Sequence, residues 1–125
     1  MSNAETRKRA FVHEVLIERR LERIDDFVGE GGLIQHNPDL TDGTVAWRIY
    51  WEREHEGRPA VEYSRLHRIL ADGSFVLTVC EGARDGVHSA FYDLFRVNEG
   101  KLVEHWDTIE AIAPRSEWKH ENGKF

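Results

Sequence analysis

A chain of 125 residues that is 40% apolar and 32% charged can complete one hydrophobic core but not two, which predicts a single ordered domain over 1–125 and excludes a disordered protein. The formal charge of −6, with no basic stripe, excludes a phosphate-backbone partner, so no nucleic acid is expected. No apolar run approaches the roughly 20 residues of a bilayer span, and the charged start Glu5, Arg7, Lys8, Arg9 is not followed by a signal-peptide core; the expectation is a cytoplasmic protein with no membrane partner.

In chain order, Ser2, Asn3, Ala4 and Glu5 have the spacing of a capping box, which satisfies free amides at a helix start. Phe11, Val12, Val15 and Leu16, then Leu21, Ile24, Phe27 and Val28, recur at three and four residues, and that period predicts one or two helices ending before Gly29-Glu30-Gly31-Gly32. The basic clusters Arg7 to Arg9 and Arg19 to Arg23 fall inside this pattern among acids and read as a solvated helix face. Leu33 to His36 is strand-like and is stopped by Asn37-Pro38. Thr41 is placed to cap a helix over Val45 to Glu54, with Val45 and Ile49 turned inward and Trp47 and Tyr50 as further inward candidates. Gly57 and Pro59 end it.

The rest reads as sheet. Val61 to Leu70, Phe75 to Ala83, Ser89 to Val97 and Leu102 to Ile109 are rich in β-branched and aromatic residues, and Asp72-Gly73, Asp85-Gly86 and Glu99-Gly100 separate them, the pattern of a four-stranded antiparallel meander. Helices first and a meander afterwards predict an α+β protein, with a curved antiparallel sheet closing over N-terminal helices and a pocket between them. The single Cys80 lies in an apolar run and reads as an inert core thiol; without a second cysteine no internal disulfide forms.

The last hairpin decides which side chains share that pocket. Val97-Asn98-Glu99-Gly100-Lys101 fits a three-residue loop with glycine in a left-handed bulge. Pairing Val97 with Lys101 sets Asp93 opposite His105 and Phe95 opposite Val103, and puts Asp93, Phe95, His105, Asp107 and Ile109 on one face. A two-residue turn at Glu99-Gly100 would instead set Asp93 beside Trp106 and Glu104; the first register is preferred because it gives glycine the strained position. Two acids and a histidine on an apolar face are costly unless they bond one another or a ligand. Burial is expected to raise the Asp93 pKa toward that of a general base, whereas a close, protonated His105 would lower it. The competing reading is a polar network that only fixes the sheet.

Other candidates carry weaker signals. His36 lies at a strand end from which it can project into a cleft. The face of His67 stays open, because a three-residue loop at Ala71-Asp72-Gly73 and a two-residue turn at Asp72-Gly73 point it to opposite sides. Glu81 is either a pocket carboxylate or the polar end of its strand. Trp47, Tyr50 and Trp51 form either a pocket wall or core. No histidine pair has ligand spacing, so no metal is expected. Ser64 and Ser89 lack a nucleophile elbow, and no glycine-rich loop opens a helix as a phosphate or dinucleotide site requires; no cofactor is expected.

Ile34-Gln35-His36-Asn37-Pro38 with Asp42-Gly43, Phe91-Tyr92-Asp93-Leu94-Phe95-Arg96-Val97, and Gly100-Lys101-Leu102-Val103-Glu104-His105-Trp106-Asp107 together resemble the SnoaL-like polyketide cyclase group of the nuclear-transport-factor-2-like superfamily. The resemblance covers nearly the whole chain. It implies a cone-shaped α+β fold, a deep apolar pocket, no cofactor and a homodimer through the outer sheet faces. It also implies that Asp93 stands where the cyclases carry an acid/base aspartate, and that Asp107 matches a catalytic aspartate of the related limonene-epoxide hydrolases. The arginine and aspartate upstream in those hydrolases have no counterpart in Phe75 to Cys80. The function expected is therefore acid/base chemistry beside a carbonyl, an aldol-type cyclisation or isomerisation. Asp93, His105, Asp107 and His36 are its catalytic candidates, and Trp47, Tyr50, His67, Glu81 and Phe95 its candidate contacts to a small hydrophobic or carbonyl-containing metabolite. The alternative is a pocket protein that binds such a metabolite without turnover.

Overall fold

The computed structural model describes residues 3–125, with side chains from Glu5 onward; the capping box at Ser2 lies outside the described residues. Helix α1 (Asn3–Phe11) widens into a π-helical turn over Val12–Ile17, and Phe11, Val12, Val15 and Leu16 bury the predicted apolar stripe. The chain then reverses at Arg19, in the left-handed region with φ 61°. Its guanidinium donates to the carbonyls of Trp51 at 2.6 Å and Val61 at 2.8 Å, tying the reversal to the next helix and to the sheet. A short turn leads into α2 (Ile24–Phe27).

Helix α3 spans Val45–Glu52 and starts after Thr44, so Thr41 does not cap it. Its inward face is also not the expected one. Val45 and Ile49 are 73% and 58% exposed, while Trp47 and Trp51 are 2% exposed. The two indoles, four residues apart, bury far more apolar area than the aliphatic pair would, and that difference sets the rotation of the helix.

Strands β4 (Val61–Asp72), β5 (Phe75–Arg84), β6 (Val87–Asn98) and β7 (Lys101–Ala111) form the predicted meander. β1 (Ile34–Gln35) adds to it in parallel beside β7, giving the order β1-β7-β6-β5-β4 and a mixed sheet. A separate ribbon of β2 (Glu54–His55) and β3 (Arg58–Pro59) follows α3. Register breaks on β4 between Tyr63 and Arg65 and between Leu66 and Arg68, and such bulges bend and twist a strand. At the first of them the strands approach so closely that a Cβ on Gly82 would lie 1.8 Å from the Glu62 carbonyl oxygen. Only glycine fits there.

The deciding hairpin closes by the two-residue turn. Asn98 pairs with Lys101, and both Glu99 (φ 50°) and Gly100 (φ 75°) are left-handed, the type I′ geometry that matches strand twist. Val103 is then an extra residue on β7, so from Arg96 opposite Glu104 onward the pairing shifts by one. Asp93 lies opposite Asp107 and Phe95 opposite His105, not Asp93 opposite His105 as expected, although the predicted face is kept. α1 packs across β4, β5 and β6, and the core centres on Phe11, whose ring lies 5.3 Å from Phe27, 5.5 Å from Trp47 and 5.8 Å from Phe95. No helix among the described residues is long and apolar enough to cross a membrane.

Candidate functional site

On the inner face of the sheet Asp93 is 3% exposed and His105 1%. His105 donates from Nε2 to Asp93 Oδ1 at 2.8 Å, and the Tyr63 hydroxyl donates to Asp93 Oδ2 at 2.6 Å. Tyr63 reaches Asp93 from two strands away, past its strand partner Gly82, and its ring packs 4.3 Å from Phe91. The other His105 nitrogen, Nδ1, faces Gln35 Oε1 at 2.9 Å. Each ring nitrogen thus faces an oxygen. Turning the Gln35 amide would present its Nε2, which has no other hydrogen-bond partner, and would let Nδ1 accept instead.

The two carboxyl groups of the face are pushed apart. Burial works against the Asp93 carboxylate, but the His105 hydrogen bond, the nearby charges of Lys8 and His105 and the Tyr63 hydroxyl outweigh it and hold its pKa below the ordinary 3.8. The expectation of a raised Asp93 is overturned, because charged and hydrogen-bonding partners outweigh desolvation here. Asp107 moves the other way. Burial and the Asp93 charge raise its pKa, against the pull of His105, the Asn37 amide and Arg84. The Asn37 amide donates to its Oδ2 at 3.0 Å.

Asp107 is also the member of the group nearest to solvent. It is only half-buried, and its partner Asn37 joins Leu40, Ile49, Tyr50, Arg53 and Ile109 in lining a cleft of about 350 Å³. Burial and the neighbouring Asp107 charge raise the Tyr50 pKa, so the phenol at the cleft stays a neutral donor. Another cleft, of about 410 Å³, lies between the end of β7 and the C-terminal segment and contains no buried ionisable group.

The remaining predicted residues divide between core and outer face. Trp47 and Phe95 are core, with rings 5.1 Å and 4.5 Å from His105; they shape the site from behind rather than line the cleft. His36, Glu81 and His67 are on the outer face, away from Asp93. His36 stacks on Trp106 at 4.5 Å and donates to Glu104 at 2.6 Å, because the parallel pairing of β1 with β7 turns Gln35 inward and His36 outward. Glu81 accepts from His67 at 2.8 Å and from His88 at 2.6 Å. The turn after β4 is Gly73-Ser74, between Asp72 and Phe75, and His67 is the extra residue of the second β4 bulge, so neither turn considered decided its side. Cys80 is buried, and burial pushes its thiol up to about 12, the inert thiol expected.

The residues missed are Gln35, Asn37, Tyr63 and Lys8. Lys8 is the largest surprise: it is wholly buried and its Nζ has no hydrogen-bond partner among the protein's groups, although Arg7 to Arg9 read as a solvated face. The signal was present, since Lys8 stands three, four, seven and eight residues before Phe11, Val12, Val15 and Leu16, on their stripe. Its charge masks that position in the pattern.

Asp93, His105 and Asp107 each offer a ligand atom within 4.8 Å of the others, the spacing a cation needs. Both Asp93 oxygens and both His105 nitrogens are already engaged, however, and the Lys8 ammonium acts on the same carboxylate. Here those atoms form a hydrogen-bonded charge network among themselves.

No family model matches the chain, and neither does any curated protein. Solved structures do share its fold. A provisionally named ketosteroid isomerase from Kribbella flavida DSM 17836 superposes with a TM-score of 0.73 at 14% identity, covering 98% of this chain and 92% of its own. An NTF-2 like protein of unknown function from Burkholderia xenovorans LB400 gives 0.69 at 16% identity, over 97% and 96%. A provisionally named SnoaL-like polyketide cyclase from Jannaschia sp. CCS1 gives 0.62 at 16% identity, over 88% and 90%. The fold is thus the NTF2-like α+β fold that the sequence resemblance implied. At these identities the likeness carries the fold and leaves the chemistry to the site.

Proposed function

We propose that the protein is a cofactor-independent acid/base enzyme acting on a small carbonyl-containing metabolite, by aldol-type closure or isomerisation, with Asp107 as the group that exchanges the proton. The observation that carries this reading is the half-buried Asp107 carboxyl, raised in pKa by burial and by Asp93 and joined by a hydrogen bond to Asn37, which lines the Tyr50 cleft. A carboxylate of raised proton affinity is a better base than Asp93, whose affinity is lowered. Asp107 takes the proton next to the carbonyl, the Tyr50 phenol and the Asn37 amide donate to the enolate oxygen as charge develops, and the protonated Asp107 returns the proton at the new position. Asp93 and His105 supply a fixed field behind it. The names of the ketosteroid isomerase and cyclase neighbours support this reaction class.

A second reading, a metabolite-binding protein without turnover, is favoured by the closure of Asp93 and His105 to solvent. Proton exchange separates the two. Incubation in D2O with a library of cyclic ketones and β-dicarbonyl compounds, followed by proton NMR, is expected to show deuteration beside the carbonyl of one ligand class. The rate should fall about 10²- to 10⁴-fold in Asp107→Asn and about 10²- to 10³-fold in Tyr50→Phe. Ligand binding without exchange favours the second reading. The partners proposed are such a metabolite and a second copy of the chain against the outer sheet face. No resident metal enters the scheme, and stoichiometric zinc or iron in the purified protein would remove that part of it.

A further inference from the structure

We propose that Lys8 is a positioning residue for the Asp93–His105 pair: its ammonium, held inside the core by α1, is the fixed counter-charge that keeps Asp93 a carboxylate and thereby keeps Asp107 poised. The consequence for Asp107 rests on the function proposed above; the coupling of Lys8 to Asp93 does not.

A lysine in a core normally extends its head to water along its aliphatic stem. Lys8 does not, being fully buried, and its Nζ lies 3.3 Å from the centroid of Phe95 and 5.3 Å from that of Phe11. Phe95 is two residues from Asp93 on the same face of β6, and its ring packs 4.5 Å from His105. The ammonium therefore stands over the Phe95 ring, which also packs against His105, with no hydrogen bond to any group and with Asp93 as its leading electrostatic partner. A methionine would fill much of this space without desolvating a charge. What the ammonium adds is its field, which a dry interior transmits far better than water.

The other groups that face Asp93 do not supply the charge. Tyr63 from β4, Cys80 from β5 and Tyr50 from α3 are all pushed up by burial and stay neutral, and Asp107 from β7 is negative when ionised. His105 donates to Asp93, but its charge depends on the proton that Gln35 faces at Nδ1. Lys8 is the cation independent of that proton. Burial lowers its own pKa to about 8, against the pull of Asp93 and Cys80, so its counter-charge is present at neutral pH and withdrawn above about 8.

Side-chain carboxyl NMR titration of the full chain and of Lys8→Met tests the coupling without reference to turnover. The Asp93 midpoint should move up in Lys8→Met; a folded variant with an unmoved midpoint overturns the proposal. The sign of the stability change is independent of packing. Unfolded lysine titrates near 10.5 and folded Lys8 at about 8, so the unfolded state binds more protons between these values and wild-type stability rises with pH across that window. Lys8→Met should lose that rise. Should Lys8→Met not fold, Asp93→Asn read at the Lys8 amine gives the same answer, because the coupling is reciprocal: the amine midpoint must fall below its wild-type value, and an unmoved midpoint overturns the proposal. Coupling without deuterium exchange would remove the enzymatic reading and leave this one. Exchange without coupling would do the reverse.

Discussion

The two faces of one sheet carry the same kind of pair at nearly the same distance and do different things with it. On the inner face His105 meets Asp93 at 2.8 Å; on the outer face His67 meets Glu81 at 2.8 Å and His36 meets Glu104 at 2.6 Å. Glu81 and Asp93 are both lowered in pKa, Glu81 by its bonds to His67 and His88, so neither distance nor direction of shift separates the faces. Solvent does. The outer pairs are exposed or half-exposed, and water and salt screen them. The inner pair is dry, has Tyr63, Lys8 and Asp107 around it, and cannot lose one member without leaving the others unpaired.

The largest expected effect tests this contrast directly. Asp93→Ala strands the Tyr63 hydroxyl, the His105 ring and the Lys8 ammonium, and urea unfolding at neutral pH should show a loss of about 3–5 kcal/mol. Glu81→Gln should cost less than about 1 kcal/mol, the partners being able to turn to water. Equal losses would abolish the distinction between the faces. Next in size is Gly82→Ala. The added methyl would collide with the Glu62 carbonyl at 1.8 Å, and β4 must move away with Tyr63 on it. A loss on the order of 3 kcal/mol is expected, together with an Asp93 carboxyl that titrates higher once the Tyr63 bond is gone. Unchanged stability would mean that β4 does not lie so close to β5.

Much of this arrangement was legible in the residues, and for identifiable reasons. The four long strands announce themselves through β-branched and aromatic residues between turn dipeptides. The inner face is legible even though the turn is not. A three-residue loop and a two-residue turn followed by one extra residue on β7 have the same parity, so Asp93, Phe95, His105 and Asp107 share a side in both. Cross-strand partners lack that protection, and Asp107 rather than His105 faces Asp93. The Tyr63 contact is not legible because it spans two strands, from β4 past Gly82 on β5 to Asp93 on β6. The side of His36 is not legible, because it follows from a parallel pairing of two residues that no local pattern encodes. Lys8 was hidden only by the assumption that charge means solvent.

A smaller effect, opposite in sign, is expected at Asp107. Its folded pKa is raised, so the stability it contributes is fully present below the unfolded value near 3.8 and is lost as pH rises through the folded pKa. At neutral pH the ionised carboxylate is therefore a liability, held beside Asp93. Asp107→Asn keeps an acceptor for Asn37 and should raise the melting temperature at pH 7. The gain should shrink toward zero as pH falls below the ordinary aspartate range. Asp93 runs the other way: its contribution is present above 3.8 and lost as pH falls through its lowered folded pKa. A variant that is less stable than wild type at every pH would show that the Asp107 charge is satisfied rather than strained, and the proton-transfer role would lose its physical basis.

The smallest effect belongs to His67→Gln on the outer face. The amide can still donate to Glu81, and what is lost is the stacking of the imidazole on Phe125 at 4.1 Å and 3°. In a monomer, with His88 also holding Glu81 and water at hand, the cost would stay below about 1 kcal/mol. This measurement sharpens the comparison of faces because the proposed homodimer would cover part of the same surface, where Tyr92, Leu94 and Trp106 lie half-buried. Covering it would remove the water that makes these pairs weak. The His67→Gln penalty would then exceed about 1 kcal/mol, grow with protein concentration, and accompany a shift from dimer to monomer in sedimentation. A small, concentration-independent penalty in a chain that sediments as a monomer would show that the outer face is an ordinary wet surface and would remove the homodimer.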